Sequence, residues 1–330
     1  MEIPDCVGDL VPAHVRGRVH SVFRRACNIE TESGELITLL AGDLDNLPHG
    51  IRLARPVASF SAWLREGQAA TLEERMLRVP DAGFTLSLSG AAIWRGTVSA
   101  PSVEALHMRL ASPDAGNIAV ALRELRATLL AHAPEQGIAP LLRDDRNARS
   151  PLDRALATRL TNVLPDMAHA TRKRDAGAIA ALAARLVGLG EGLTPSGDDF
   201  LVGYLAALWS RADREQGIDT LLRKLKAPLE EIFSQTHAIS RQMLSDALQD
   251  RFAEGLVDVV RALSGSGHVV DATLQALRSG HSSGADTLCG LLFGVSPALI
   301  AQEKQSRLQS RAARPWQNVS GAGPAAPIAC

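Results

Sequence analysis

The sequence predicts an α+β protein, with a small, mostly antiparallel β domain over residues 1–100 followed by an all-α helical bundle over residues 101–302. Three observations predict it. Short, partly alternating segments broken by turn residues fill the first hundred positions. From about Ser102 the texture changes to Ala, Leu and Arg, with apolar residues recurring at three and four. Within that Ala- and Leu-rich region, a single eight-residue loop-to-helix pattern occurs twice.

The β elements follow from the turn chemistry. Val15 to Phe23 shows partial alternation, and Ala26 to Glu30 and Leu36 to Leu40 flank Glu32-Ser33-Gly34-Glu35, a hairpin-type turn. Glu74 to Val79, Phe84 to Leu88 and Ala91 to Arg95 give further strands, punctuated by Asp81-Ala82-Gly83 and Ser89-Gly90. A barrel is one way for such a sheet to close. Between the two sets, Asn46-Leu-Pro-His-Gly-Ile51 reads as a surface turn on turn chemistry alone. The functional reading is a loop that closes over a site in the other domain, with Asn46 among its ligand contacts.

Helices are expected at 102–111, 117–133, 151–170 and 175–187, the last carrying Ile179, Leu182, Ala183, Leu186 and Val187 as one stripe. Pro134 to Arg149 reads as a loop or short turn region. A helix from the end of the Gly-rich loop to about Arg211 is followed by others at 218–226, 228–250, 252–263, 269–278 and 286–294. Residues 303–330 have few large apolar groups and read as a disordered tail.

The densest stretch of special residues is Gly188 to Gly203, Gly-Leu-Gly-Glu-Gly-Leu-Thr-Pro-Ser-Gly-Asp-Asp-Phe-Leu-Val-Gly. Gly190 and Gly192 strip side chains from the loop, so a ligand or a second backbone can approach. Thr194, Ser196, Gly197, Asp198 and Asp199 then open a helix whose free N–H groups and dipole favour an anion. Ser196 to Gly203 aligns without gaps to Ser283 to Gly290, sharing Ser-Gly-x-Asp-x-Leu-x-Gly at an offset of 87 residues (283 minus 196). Capping alone explains a Ser or Asp at each helix start. Two facing copies would instead make a pocket rich in oxygens and N–H groups, with Ser283 and Gly284 opposite the first loop. Such a pocket could bind phosphate directly, or through a divalent or monovalent cation on Asp198, Asp199 and Asp286, although the sequence requires no cofactor. Thr236, His237, Ser240 and Arg241 interrupt the apolar run of helix 228–250 and are candidates for its wall, as is His281 just before the second copy. His237 joins Asp199 and Asp286 as a candidate catalytic group.

Composition excludes several classes. Lys and Arg number 35 against 36 Asp and Glu, a formal net charge of −1, and aromatics are 4%, which argues against nucleic-acid binding. The four cysteines are scattered, with no pair at zinc-ligand spacing. No apolar run reaches the ~20 residues of a membrane span, and the N-terminus has no signal pattern. A soluble cytoplasmic protein is expected.

The segments Gly188–Gly203, Thr236–Arg241 and Gly280–Gly290 together resemble the bacterial AllH-like (YlbF-like) family, known by the signature Gly-x-Gly-x-Gly-Leu-Thr-Pro-Ser-Gly-Asp-Asp-Phe-Leu-x-Gly; the turn Asn46-Leu-Pro-His-Gly50 also looks like a family element. The resemblance spans about residues 10–298. It implies a subunit of oxamate carbamoyltransferase, working with FdrA-like and AllG-like subunits in the anaerobic breakdown of allantoin. That complex converts oxalurate and phosphate to oxamate and carbamoyl phosphate. A non-catalytic assembly subunit or a ligand-binding, regulatory module of the same complex are the alternatives.

Overall fold

The computed structural model describes residues 4–99, 115–143, 151–213 and 215–297. The helix expected at 102–111 and the tail 303–330 lie outside the described residues. The chain forms an N-terminal curled sheet followed by a helical region.

The sheet contains β1 (Pro4–Gly8), β2 (Val15–Val22), β3 (Ala26–Thr31), β4 (Leu36–Leu40), β5 (Gly50–Leu53), β6 (Ala69–Glu73), β7 (Met76–Val79), β8 (Phe84–Ser87) and β9 (Ala92–Trp94). Their spatial order is β8-β7-β6-β2-β3-β4-β5-β1-β9, so among the described residues β8 and β9 are the edge strands and the curled sheet does not close into a barrel. Neighbours are antiparallel except β4–β5 and β1–β9. Gly34, with φ of +83°, makes the β3–β4 turn as its sequence predicts.

Three strands carry weak signals. β1 begins with Pro-Asp, β5 starts at the glycine that ends the Asn46 turn, and β6 reads Ala-Ala-Thr-Leu-Glu, with helix-forming residues at its ends. The expected strand start at Glu74 is also corrected. Glu74 and Arg75 have φ of +51° and +61° and form the β6–β7 turn without a glycine or asparagine to announce it.

β4 shows how the two regions meet. Ile37 and Leu39 join the core of the sheet, which also holds Ile29, Ile51, Phe60 and Leu72. Leu36 and Thr38 point the other way and line a cavity shared with helices. A strand covered on both faces can therefore read as a nearly continuous apolar run.

The helical region comprises α1 (Ala115–His132), α2 (Pro151–Lys173), α3 (Ala176–Ala183), α4 (Ser196–Trp209), α5 (Ile218–Phe233), α6 (Ala238–Ala247), α7 (Glu254–Leu263), α8 (Val269–Ala276) and α9 (Ser283–Val295). It has its own core, including Leu125, Leu160, Phe200, Leu225 and Phe293. No helix among the described residues is long and apolar enough to cross a membrane.

The expected helix 228–250 is two helices with the break elsewhere. Pro228 lies inside α5, which continues because Leu225, Leu229 and Phe233 stay on its buried face. The chain breaks instead at the polar run Ser234-Gln-Thr-His237, where His237 is extended, with φ and ψ of −64° and 153°. Thr236 is therefore in a turn and does not share a helix face with Ser240.

α4 is buried from Ser196 through Leu208 and packs on α9 more extensively than any other pair of elements. The crossing is reciprocal. A Cβ on Gly203 would lie 1.8 Å from the carbonyl oxygen of Thr287, and one on Gly290 would lie 1.9 Å from that of Phe200. The eighth residue of each repeat thus meets the fifth of the other, as in a two-fold interface. Gly203→Val should force the helices apart and destabilise the protein by about 3 kcal/mol or more. Urea denaturation checks this, and a loss under about 0.5 kcal/mol would show that the crossing yields without cost.

Candidate functional site

The Gly188–Pro195 loop is fixed from within. The N–H of Gly197 donates to Leu189 O at 2.8 Å, and those of Asp198 and Asp199 donate to Pro195 O at 2.9 and 3.1 Å. These first-turn donors of α4 are thus occupied by the loop itself. Asp198 accepts from the Gly188 N–H at 2.8 Å through Oδ1 and from the Thr236 hydroxyl through Oδ2. Thr236, far away in sequence, therefore holds the loop through the side chain that opens the helix. Gly190, with φ of +128°, sits where a Cβ would come 2.6 Å from Ser196 N, whereas Gly192 has open space around it.

The two repeat corners meet face to face. Thr194 Oγ1 and Ser283 Oγ are 2.6 Å apart. Asp199 and Asp286, the fourth residues of the two copies, are 1% and 0% exposed. Burial raises the Asp199 carboxyl well above the ordinary range, opposed first by the Ser283 hydroxyl of the other corner and reinforced by the nearby Asp286 and Asp198 charges. Burial likewise raises Asp286 to about 6, against the Ile138 N–H and then the hydroxyl of Ser196 from the first corner. Each corner's leading serine thus lies against the other corner's aspartate. The Ile138 N–H donates to Asp286 Oδ1 at 2.6 Å, while Asp199 Oδ2, Asp286 Oδ2 and the buried Ser240 Oγ make no hydrogen bond among the described residues. Among those residues, no group of three or more His, Cys, Asp or Glu side chains is placed to hold a metal ion, Asp198, Asp199 and Asp286 included.

The other expected residues are spread around these corners. His237 is exposed at the start of α6 and Arg241 is half-buried one turn on. His281 is exposed and its Nε2 is 2.5 Å from Gln136 Oε1. Gly284 abuts the end of α8, where a Cβ would meet Ala276 O at 2.1 Å. Asn46 docks the β5-side loop onto α7. Its N–H and Nδ2 both donate to Glu254 Oε2 at 2.9 Å, and its carbonyl accepts from Glu254 N at 3.0 Å.

Between sheet and helices lies a cavity of about 140 Å³. The second corner reaches its wall through Ser283, Gly284 and Thr287; Asp199 and Asp286 do not. Its polar lining centres on residues that sequence reasoning does not single out. His49 Nδ1 is 3.1 and 3.2 Å from the two Asp246 oxygens. Gln242 Nε2 donates to Asp246 Oδ1 at 2.9 Å, and Gln242 Oε1 accepts from Leu36 N at 3.0 Å. Burial raises Asp246, and its bond to His49 opposes the rise. The signals that could have found them are a histidine inside the Asn46 turn and a polar i, i+4 pair on an otherwise apolar helix face.

Two family models match the chain. One, described as oxamate carbamoyltransferase subunit AllH, matches residues 186–295, and the other, the AllH family N-terminal domain, matches residues 5–93. Every residue lining the cavity falls within one of these two segments. No solved structure matches the chain.

The buried aspartates make stability depend on pH with a defined sign. An unfolded aspartic acid titrates near 3.9, so the folded chain holds the Asp286 proton where the unfolded chain has lost it. The contribution is fully present below about pH 4 and is lost as pH rises through about 6, roughly 3 kcal/mol in all. Asp286→Asn keeps an acceptor for Ile138 and removes the charge. Urea denaturation should show the wild type losing this stability between about pH 4 and pH 7 while the variant loses less and ends the more stable. Parallel losses in both proteins would assign the dependence to other groups.

Proposed function

The chain belongs to the AllH family, and on that premise we propose that it is one subunit of an oxamate-type carbamoyltransferase. In this reading it acts in the cytoplasm with FdrA-like and AllG-like subunits, in the breakdown of allantoin. The complex converts oxalurate and phosphate to oxamate and carbamoyl phosphate, or uses a related carbamoyl acceptor. The observation that carries the reading is that both family segments converge on one cavity, so the matched regions build a single feature.

Within this reading the two Ser-Gly-x-Asp corners are a packing device beside the ligand site. Their burial supports that role, because Asp199 and Asp286 have almost no exposed surface and the foremost hydroxyl beside each, Ser283 and Ser196, comes from the opposite corner. Protonated as burial favours, the two carboxyls leave no exposed surface for a phosphate between the corners, and on ionising they would repel it.

Reconstitution tests both statements. Carbamoyl phosphate should form from oxalurate and phosphate only when this chain is combined with its two partner subunits; full turnover in its absence would overturn the assignment. Asp199→Asn imitates the protonated side chain that burial favours, so it should leave turnover within about twofold of wild type. If it abolished turnover while melting temperature and assembly stayed unchanged, the corners would be catalytic instead.

A further inference from the structure

The cavity between sheet and helices has its polar groups set in one orientation. Leu36 N–H donates to Gln242, Gln242 donates to Asp246, and Asp246 faces His49 Nδ1. Nδ1 is also 3.3 Å from Gln242 Nε2, but that amide already donates to Asp246 at 2.9 Å. The two carboxylate oxygens nearer to Nδ1 select the tautomer with its proton there, which leaves Nε2 as an acceptor. No described group engages Nε2. From the sheet side, Thr38 Oγ1 donates to Asn28 Oδ1 at 2.8 Å and Asn28 Nδ2 donates to Ser21 Oγ at 3.0 Å, so those groups already have partners. Most of the remaining wall is aliphatic, including Val202, Ile239, Met243 and Leu288.

Charge and size narrow the ligand. The charged side chains on the described wall, apart from His49, are Asp45, Asp246 and Arg251. Arg251 is bound to Asp9, its Nε lying 3.0 and 3.2 Å from the two carboxylate oxygens. A phosphate would therefore meet two carboxylates and a guanidinium already paired to a third. An apolar cavity of ~150 Å³ accommodates benzene, so about 140 Å³ suits a fragment of comparable size.

We propose that this cavity binds the uncharged amide or ureido end of a small ligand, whose N–H donates to His49 Nε2. Asp246 acts as the positioning residue that sets the ring, and Gln242 fixes Asp246. The proposal rests on the carbamoyltransferase reading only for the natural ligand, which would place its carbamoyl or amide group here and its phosphate elsewhere.

The test uses the full chain with labelled histidine rings, followed by NMR of the ring nitrogens. Acetamide, methylurea, oxamate and inorganic phosphate serve as probes, and His49→Gln assigns the signals. The amide and ureido probes should shift the His49 Nε2 resonance saturably, and phosphate should not. Asp246→Asn should move the tautomer balance of His49 and weaken amide binding about tenfold, the effect of losing one oriented hydrogen bond. No shift with any amide or ureido probe in the wild type, or an equal shift with phosphate, overturns the proposal. If the reconstituted complex makes carbamoyl phosphate while the chain binds no amide, this proposal alone fails. Amide binding without turnover in any reconstituted complex upholds it and sinks the functional reading instead.

Discussion

The helical region depends on the backbone-to-backbone crossing of α4 and α9. Gly203 and Gly290 leave no side chain between the helices, so each approaches a carbonyl of its partner. That close approach brings the two helix starts together. It buries Asp199 and Asp286, joins Thr194 to Ser283, and sets the first turn of α9 as one wall of the interdomain cavity. A wider crossing would loosen all of these at once, because they share the same helix axes. The cost appears in the buried oxygens that lack hydrogen bonds and in carboxyls that favour their protons.

A second element couples this helical frame to the sheet. Between Gln242 and Glu254 the chain presents a polar side chain at every fourth position. Gln242 binds the backbone of β4, Asp246 binds His49, Asp250 accepts from the N–H groups of Val98 and Ser99, and Glu254 holds Asn46 and Arg52. Phe252 adds a backbone bond to Gly96 at 2.8 Å, at a site where a glycine Cβ would collide with the Phe252 carbonyl. The cavity therefore lies between two surfaces fixed by hydrogen bonds, and its polar groups are oriented before any ligand arrives.

What could be read in the sequence follows from where its signals are local. The Glu32–Glu35 turn, the Leu36–Leu40 strand and the paired Ser-Gly-x-Asp helix starts each carry their own chemistry, and the structure places the two starts together. β6 and its turn could not be read that way, because Glu74 and Arg75 adopt left-handed backbone that their residue types do not advertise. The break after Phe233 was hidden by Pro228, a stronger breaker in the wrong place. Asp198 offered no hint that its second oxygen would be taken by Thr236. His49 and Asp246 are 197 residues apart, and neither carries a signal of the other; their pairing exists only once the sheet docks on α6.

The reciprocity of the two corners has a consequence for how such a chain can arise. A single loop–helix copy would expose its glycine stripe and would lack the serine that faces its buried aspartate. Two identical copies could satisfy each other only by meeting about a two-fold axis. Joining them in one polypeptide replaces that bimolecular encounter by an internal one, at the effective concentration a tether provides. Once joined, the halves need not stay identical, and in this sequence they differ. Asp198 has Ala285 as its counterpart, so one corner keeps an acid that ties down its loop while the other presents a small apolar residue. Both copies still reach the cavity wall, the first through Val202 and the second through Ser283, Gly284, Thr287 and Leu288, so the asymmetry lies in the loops and not in the crossing.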